Sequence, residues 1–436
     1  MMRLCLLAGL LAAGSAEAQD SNYRCNGLDA AASLPSIEGK NGVFYRVLAD
    51  LRMRHPMTDP IIGKMGTLAA TLAANGTTLI YVSVPTKSQA MPDQLPEAAK
   101  MYQFDAGTAK LVYDDIITRL TAQNITAPDI LDALRAAPDE APPFFQADFH
   151  WTPEGARRAA EAISDVMKAQ PFYADLDKTD YVTTELPAVA AFSTMRRTLQ
   201  AQCIDELPRV EASVFVTKAS GASVADAADI FAGGDQEIQV VLVGTSFSDS
   251  TTNNFAGFLS QYSGLDVVNY AVTGGNQYGA ITSYLTSRDY LENPPRFLVW
   301  ENPVYNNLAQ YGLDPLEELI AAAGDSCTDI LSTTQTGPAT LTADLRNFSI
   351  TADNVLLADF GTDGPRRADF VFTGPTGIVR NAAMIRGDRL LASGRFFKPL
   401  HSLWQPDMQT VSVTFDQPVT ALSSLTLCTQ TPKDKS

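Results

Sequence analysis

Histidine and cysteine are scarce in this chain of 436 residues, which holds 3 of the first and 5 of the second. So few imidazoles all but exclude a multi-histidine metal site, and they shorten the search for a general base. Basic residues are also in deficit, with 32 Lys and Arg against 49 Asp and Glu, for a formal charge of −17. A mean field of that sign repels phosphate and argues against a general binder of nucleic acid or anionic membrane. Long apolar runs are missing as well. No stretch reaches roughly 18 uninterrupted apolar residues, so none predicts a bilayer-spanning helix. What remains is globular in texture, with 45% hydrophobic and 19% charged residues. That excludes a disordered or collagen-like chain and allows two or three domains with real cores.

Residues 1–18 read as a secretory signal peptide. Arg3 supplies the positive n-region, Leu4 to Gly14 the apolar h-region, and Ala16-Glu17-Ala18 an A-x-A cleavage site before Gln19. Cys5 lies too early in the h-region to serve as a lipid anchor. The expectation is an exported, soluble chain without stable membrane insertion. Cleavage would leave Cys25, Cys203, Cys327 and Cys428, which allow three pairings in an oxidising compartment. Their positions favour Cys25–Cys203 within a first domain and Cys327–Cys428 bracketing a second. Each would close a long loop and stabilise by about 3–5 kcal/mol in the loop-entropy picture.

The first two-thirds of the chain alternates helical and strand patterns. Ile61 to Ala74 has helical spacing and stops at Asn75-Gly76, whereas Thr78 to Val84 is a β-branched and aromatic run suited to a strand buried on both faces. Val112 to Leu120, Asp129 to Leu134, Pro153 to Met167 and Phe255 to Tyr262 predict helices. Ile238 to Val243 and Phe297 to Trp300 predict two more buried strands. This order implies an α/β domain over residues 19–325, with a largely parallel sheet covered by helices. After Cys327 the segments Ala339 to Leu345, Phe348 to Ala352, Asn354 to Leu357, Asp369 to Phe372 and Thr410 to Phe415 are short and separated by Gly, Asp and Pro turns. They predict a small all-β sandwich over residues 326–436.

The stretch from Asp148 to Gly155, Asp-Phe-His-Trp-Thr-Pro-Glu-Gly, carries the most chemistry. Thr152 can cap a helix that begins at Pro153, and Glu154 suits its positive end. Asp148 and His150 then stand two apart in the loop ahead of it, where a carboxylate can orient a neutral imidazole as a general base. A helix cap with an incidental histidine would use the same residues. His55, in an Arg-rich segment before Pro56, reads as a surface residue. The candidate nucleophile is Ser246 in Gly244-Thr-Ser-Phe-Ser248, directly after a buried strand, where parallel sheets expose catalytic groups. This is not the G-x-S-x-G elbow, which disfavours an α/β-hydrolase. The Ser246 N–H and the N–H of Gly274, after Val267 to Val272, are candidate oxyanion donors.

Taken together, Asp148-x-His-Trp-Thr-Pro-Glu-Gly-Ala, Val243-Gly-Thr-Ser-x-Ser, Asn269-Tyr-Ala-x-x-Gly274 and Val299-Trp-Glu-Asn-Pro303 resemble the AlgX/AlgJ alginate O-acetyltransferases. These are SGNH-hydrolase-like proteins in which the Asp-His block precedes the Ser block, as it does here. Pro85-x-Lys87, preceding Pro92, resembles an early block of the same family, and the likeness spans about residues 40–310. The tail and the cysteine layout resemble the AlgX branch, with its carbohydrate-binding module. Two departures stand out: Val304-Tyr305 where the family tends to have Glu-Arg, and Gly275 where some members have Arg.

The resemblance implies a periplasmic acetyltransferase acting on an anionic exopolysaccharide, alginate or a related uronate polymer. It implies an acetyl donor delivered by a membrane-borne system, and no cofactor or metal. A polysaccharide acetylesterase with the same triad and a non-catalytic polysaccharide-binding scaffold are the competing expectations. Basic residues are concentrated between Arg366 and Lys398, at Arg366, Arg367, Arg380, Arg386, Arg389, Arg395 and Lys398, against only Asp369 and Asp388. That concentration suggests a polymer site, with Phe396, Phe397, His401 and Trp404 available for stacking. Lys87, Arg395, Lys398 and Trp404 are the candidate substrate-binding residues.

Overall fold

A computed structural model describes residues 21–428 apart from Pro56, Asp139, 221–237 and Asp325. The expected signal peptide, residues 1–18, lies outside the described residues. A short hairpin of β1 (Ser36–Glu38) and β2 (Phe44–Arg46) opens the chain. Helix α1 (Asp59–Ala74) follows, entered through Thr58 and Pro60 and ended at Asn75-Gly76. It leads into β3 (Thr78–Val84), of which all but the first residue is buried. Next come α2 (Lys87–Ala90), α3 (Ala106–Ala122), α4 (Ile130–Arg135) and α5 (Pro153–Lys168). A two-stranded ribbon of β4 (Tyr181–Ala190) and β5 (Glu211–Ala219), with α6 (Thr194–Gln200) between them, is a feature that the sequence patterns did not predict. The core then resumes with β6 (Val240–Val243), α7 (Ser246–Asp249), α8 (Phe255–Ser263) and β7 (Val267–Asn269). Helices α9 (Gly279–Leu285) and α10 (Arg288–Glu292), strand β8 (Phe297–Pro303) and α11 (Asp314–Ala323) complete it.

The central sheet has the order β3-β8-β6-β7, and every pairing in it is parallel. Leu298 of β8 pairs with Leu79 on one side and Val241 on the other. Helices cross between these strands, as parallel pairing requires. The consequence for function is directional. All the carboxyl ends fall on one edge of the sheet, and the loops leaving Val84, Val243, Asn269 and Pro303 share it.

Beyond α11 the chain is all-β: β9 (Cys327–Ile330), β10 (Thr333–Gly337), β11 (Thr340–Asp344), β12 (Val355–Asp359), β13 (Arg367–Thr373), β14 (Val379–Ile385), β15 (Arg395–Pro399), β16 (Thr410–Phe415) and β17 (Ser424–Cys428). They form two antiparallel sheets, β10-β11-β16-β13-β14 and β15-β12-β17-β9. In the first, β11, β13 and β16 alternate buried residues with more exposed ones, so Leu341, Phe370, Phe372, Val411 and Val413 fill the sandwich core. In the second, β12, β15 and β17 are buried on both faces. Leu356 and Ala358 of β12 join the sandwich core, while Val355 and Leu357 join the core of the α/β part. One expected strand is corrected: Phe348 to Ala352 is a loop. The Asn354 side chain accepts the Thr351 N–H at 2.8 Å, a local turn that competes with sheet pairing. Disulfides join Cys25 to Cys203 and Cys327 to Cys428.

The sandwich docks through charge as well as apolar surface, and this corrects the reading of Arg395 and Lys398 as polymer-binding residues. Lys398 Nζ is 2.6 Å from Asp314 Oδ2 on α11, and buried Arg386 pairs with buried Glu318 on the same helix. His401 meets Asp314 at 3.0 Å and Glu317 at 3.1 Å, while Lys64 of α1 holds Glu317 from the other side at 2.9 Å. Arg395 is buried beside Asp359 and donates to the Thr286 carbonyl oxygen. Phe396 and Phe397 are buried core residues, and Trp404 packs half-buried against the sandwich core. Arg395 and Lys398 are therefore spent inside the chain. Replacing Glu318 by Ala strands a buried guanidinium and is expected to cost about 3–5 kcal/mol, most of it recovered by the apolar pair Glu318→Leu with Arg386→Met. Urea unfolding of the single and double variants checks this; equal losses in both would contradict a buried-charge origin.

Candidate active site

Two loops that are remote in sequence meet at the carboxyl edge of the sheet. The first precedes α5, whose N-cap Thr152 accepts the Gly155 N–H at 3.3 Å. Gly155 is needed for a close approach, because a Cβ there would lie 2.3 Å from the Pro143 carbonyl oxygen. Within this loop Asp148 Oδ1 accepts the His150 backbone N–H at 2.8 Å and lies 2.6 Å from His150 Nδ1. The second loop leaves β6 through Gly244 and Thr245 and starts α7 at Ser246. Ser246 Oγ is 2.7 Å from His150 Nε2.

The loops are locked together beside that contact. Trp151 is fully buried, donates its indole N–H to the Phe247 carbonyl oxygen at 2.9 Å and meets the Phe247 ring edge-on at 5.3 Å. Phe149 lies against the His150 ring at 4.1 Å, and the Arg46 guanidinium covers Phe149 at 4.3 Å. Imidazole and hydroxyl remain half-buried, so a reactant can reach them from solvent.

Asp148 is 4% exposed. Burial pushes its carboxyl pKa up, but hydrogen bonds from His150 and the Ser193 hydroxyl outweigh burial and hold it at about 2. Ser193 also caps α6, accepting the Arg196 N–H at 3.0 Å. Its contact with Asp148 Oδ2 escaped the sequence analysis, because a serine before a helix signals a cap and nothing more.

Gly274 lies in the loop after β7 with φ +82°, in the left-handed region open to glycine. That loop is tied to the turn carrying Ser246: Val272 N–H donates to the Gly244 carbonyl oxygen at 3.1 Å, and Thr273 N–H to Asp249 at 2.8 Å. Arg389, from the β14–β15 connection, donates to the Thr273 carbonyl oxygen at 3.2 Å.

Two expectations are corrected here. Lys87 is 1% exposed and donates to the carbonyl oxygens of Phe44 at 2.9 Å and Gln146 at 3.0 Å. It therefore supports the Asp148 loop from within and has no surface to offer a polymer. Burial lowers its pKa to about 8, against the opposing pull of Asp50 and Asp148. His55 is buried as well. The extended segment alternates, so that exposed Arg52 and Arg54 turn His55 inward. Glu301, the acidic residue of the Trp-Glu-Asn-Pro stretch, is completely buried against Thr245 and Ser248. In the sequence alone nothing marks a role for that carboxylate. Among the described residues, no cluster of His, Cys, Asp and Glu could hold a metal ion.

A parallel α/β sheet with a serine, a histidine and an aspartate in hydrogen-bonded series at its carboxyl edge places the chain in the broad class of α/β folds that present such a series, a class with several unrelated members. The family described as "SGNH hydrolase-like domain, acetyltransferase AlgX" matches residues 38–304, and the chain belongs to it. The chain is 30% identical over 295 residues to the alginate biosynthesis protein AlgX of Pseudomonas aeruginosa, covering 68% of this chain and 60% of that protein. It is 32% identical over 241 residues to the probable alginate O-acetylase AlgJ of Pseudomonas fluorescens, covering 53% of this chain and 57% of that one. These alignments span less than two-thirds of each relative's length. Among solved structures, Pseudomonas aeruginosa AlgX shares the fold with a TM-score of 0.74 at 23% identity, over 91% of this chain and 94% of that chain. The O-acetyltransferase domain of Pseudomonas putida AlgJ shares it at 0.52 and 22% identity, over 65% and 98%.

The depressed pKa of Asp148 has a signed consequence. Its ionised form stabilises the fold above the ordinary carboxylate range, by about 2 kcal/mol, and that contribution is lost as pH falls from about 4 through about 2. The stability gap between the native chain and Asp148→Asn should be widest above about pH 4 and narrow across that window. Denaturant titrations at stepped pH measure it, and a gap independent of pH would contradict the assignment.

Proposed function

We propose that the protein is a periplasmic O-acetyltransferase that modifies hydroxyls of an alginate-like exopolysaccharide through an acetyl-serine intermediate. The observation that carries this reading is the unbroken series from Asp148 to His150 to Ser246, in a chain of the AlgX acetyltransferase family. His150 Nε2 takes the Ser246 proton as Oγ attacks the acetyl carbonyl carbon, and the imidazolium so formed is stabilised by Asp148. The N–H groups of Ser246 and Gly274 receive the oxyanion; neither donates to an acceptor among the described residues. The tetrahedral adduct then collapses, releasing the donor group with the proton held by His150 and leaving acetyl-Ser246. A sugar hydroxyl gives its proton to His150 and attacks the ester. The acetyl group passes to the sugar, and Ser246 regains its proton.

The polymer and the location rest on further support. Relatives named for alginate biosynthesis and alginate O-acetylation support an alginate-like acceptor; acetyl supply by a membrane-borne system is part of the same proposal. Arg389, exposed and set against the Thr273 carbonyl, is the member of the basic stretch best placed to meet a uronate carboxylate. Two disulfides fit an oxidising compartment, and no helix among the described residues is long and apolar enough to cross a membrane.

Incubation with an activated acetyl ester and uronate oligomers, followed by mass spectrometry, tests the reading. Acetylated oligomer and acetyl-Ser246 are expected. Ser246→Ala should lose both and reduce ester turnover by at least about 10³-fold. Free acetate without acetylated sugar would make the protein an esterase, and undiminished turnover by Ser246→Ala would overturn the acetyl-serine mechanism.

A further inference from the structure

The carboxylate of Glu301 sits directly beneath the nucleophile turn, on β8, with none of its surface exposed. Three donors converge on it. The Thr245 N–H reaches Oε2 at 2.8 Å, the Thr245 hydroxyl lies 3.0 and 3.1 Å from the two oxygens, and the Ser248 hydroxyl reaches Oε2 at 2.9 Å. Thr245 and Ser248 stand on either side of Ser246, so one side chain grips the turn before and after the nucleophile. Gly244 makes the approach possible: a Cβ there would lie 2.5 Å from Oε2 and 2.9 Å from the Glu301 Cβ.

No cation pairs with Glu301 among the described residues. A carboxylate taken out of water without a counter-ion is costly, and neutral donors offset only part of that cost. Glutamine would cost less but could not serve the same geometry. It offers one acceptor oxygen, and its NH₂ group would face a donor where the carboxylate presents a second acceptor. The anion is thus the form that satisfies all three donors at once.

We propose that Glu301 is a positioning residue for acyl transfer, whose ionised carboxylate fixes the Gly244–Ser248 turn and with it the Ser246 hydroxyl and N–H. The inference rests on the acetyl-serine reading of the site. Protonation of Glu301 would put a donor where three donors meet and would loosen the turn, so activity should require the ionised form of Glu301. Burial raises the carboxyl pKa to about 7, which brings that ionisation into an accessible range. The other titratable groups facing Glu301 are the phenols of Tyr81 on β3 and of Tyr305 after β8. Burial pushes both upward, so neither ionises in that range.

The test is the pH profile of activated acetyl-ester turnover by the full chain and by Glu301→Gln, Ser248→Ala and Ser246→Ala, with folding followed by thermal melting. Glu301→Gln should lower kcat about 10- to 100-fold with KM changed less than about threefold. Its acid limb should lose one proton of its dependence. Ser248→Ala removes one hydrogen bond to the anion, so its acid limb should move to higher pH. Wild-type kcat and profile in folded Glu301→Gln would overturn the proposal. Should that variant fail to fold, Ser248→Ala decides, and an unmoved acid limb overturns it. Turnover surviving in Ser246→Ala would instead refute the acetyl-serine reading on which the proposal stands.

Discussion

The hydrogen bond from the Trp151 indole to the Phe247 carbonyl, with the edge-on contact between their rings, is the constraint on which the site depends. It joins residues 96 apart in sequence, and the bond between His150 and Ser246 spans the same separation one position earlier. An indole N–H buried in a core must find an acceptor, and here that acceptor belongs to Phe247, the residue after Ser246. His150 and Ser246 therefore meet because their neighbours pack together. The 2.7 Å contact follows from core packing on both sides of it.

That arrangement explains which features were legible in the sequence. The parallel sheet was readable because strands such as Thr78–Val84 and Phe297–Pro303 are unbroken apolar runs. The Asp-His loop was readable because Thr152 and Pro153 mark a helix start that fixes the residues ahead of it. The β4–β5 ribbon was not, since most of β4 is exposed and its pattern carries no core periodicity. In the sandwich, β15 (Arg395–Pro399) begins with a base, ends at a proline and is nonetheless wholly buried. Pattern reading assigns such charges to a surface. Only their partners show why they are inside: Lys398 pairs with Asp314 of α11, and Arg395 lies beside Asp359 of β12 and donates to the Thr286 carbonyl oxygen.

The uneven charge distribution takes on a different meaning once those pairs are traced. The net charge of −17 and the basic stretch between Arg366 and Lys398 look like a repelling body with one attractive patch. Much of that patch is neutralised within the molecule, by Asp314, Glu318, Asp359 and Asp369. What the stretch chiefly provides is attachment of the sandwich to the α/β core. The residue that extends from this interface to the carboxyl edge of the central sheet is Arg389, held by a backbone carbonyl and not neutralised by a carboxylate in that contact. Docking the sandwich thus has a chemical consequence, because it brings one cation against the loop that carries Gly274.

Lys87 and Glu301 extend the same logic into the interior. Each is a buried charge near the carboxyl edge of the sheet, and each makes its direct hydrogen bonds with neutral groups. An ion pair would satisfy the charges with each other and leave the loops untied. A lone ammonium can instead draw two carbonyl oxygens from separate segments, Phe44 and Gln146, towards one point. A lone carboxylate can likewise collect three donors from a single turn. Irregular backbone has no ladder of its own to fix it, so a buried charge that accepts or donates several bonds is an effective organiser of a loop. The desolvation cost falls on the fold as a whole, while the gain in position is local to Asp148 and Ser246. The site's geometry is thereby bought from the stability of the core beneath it.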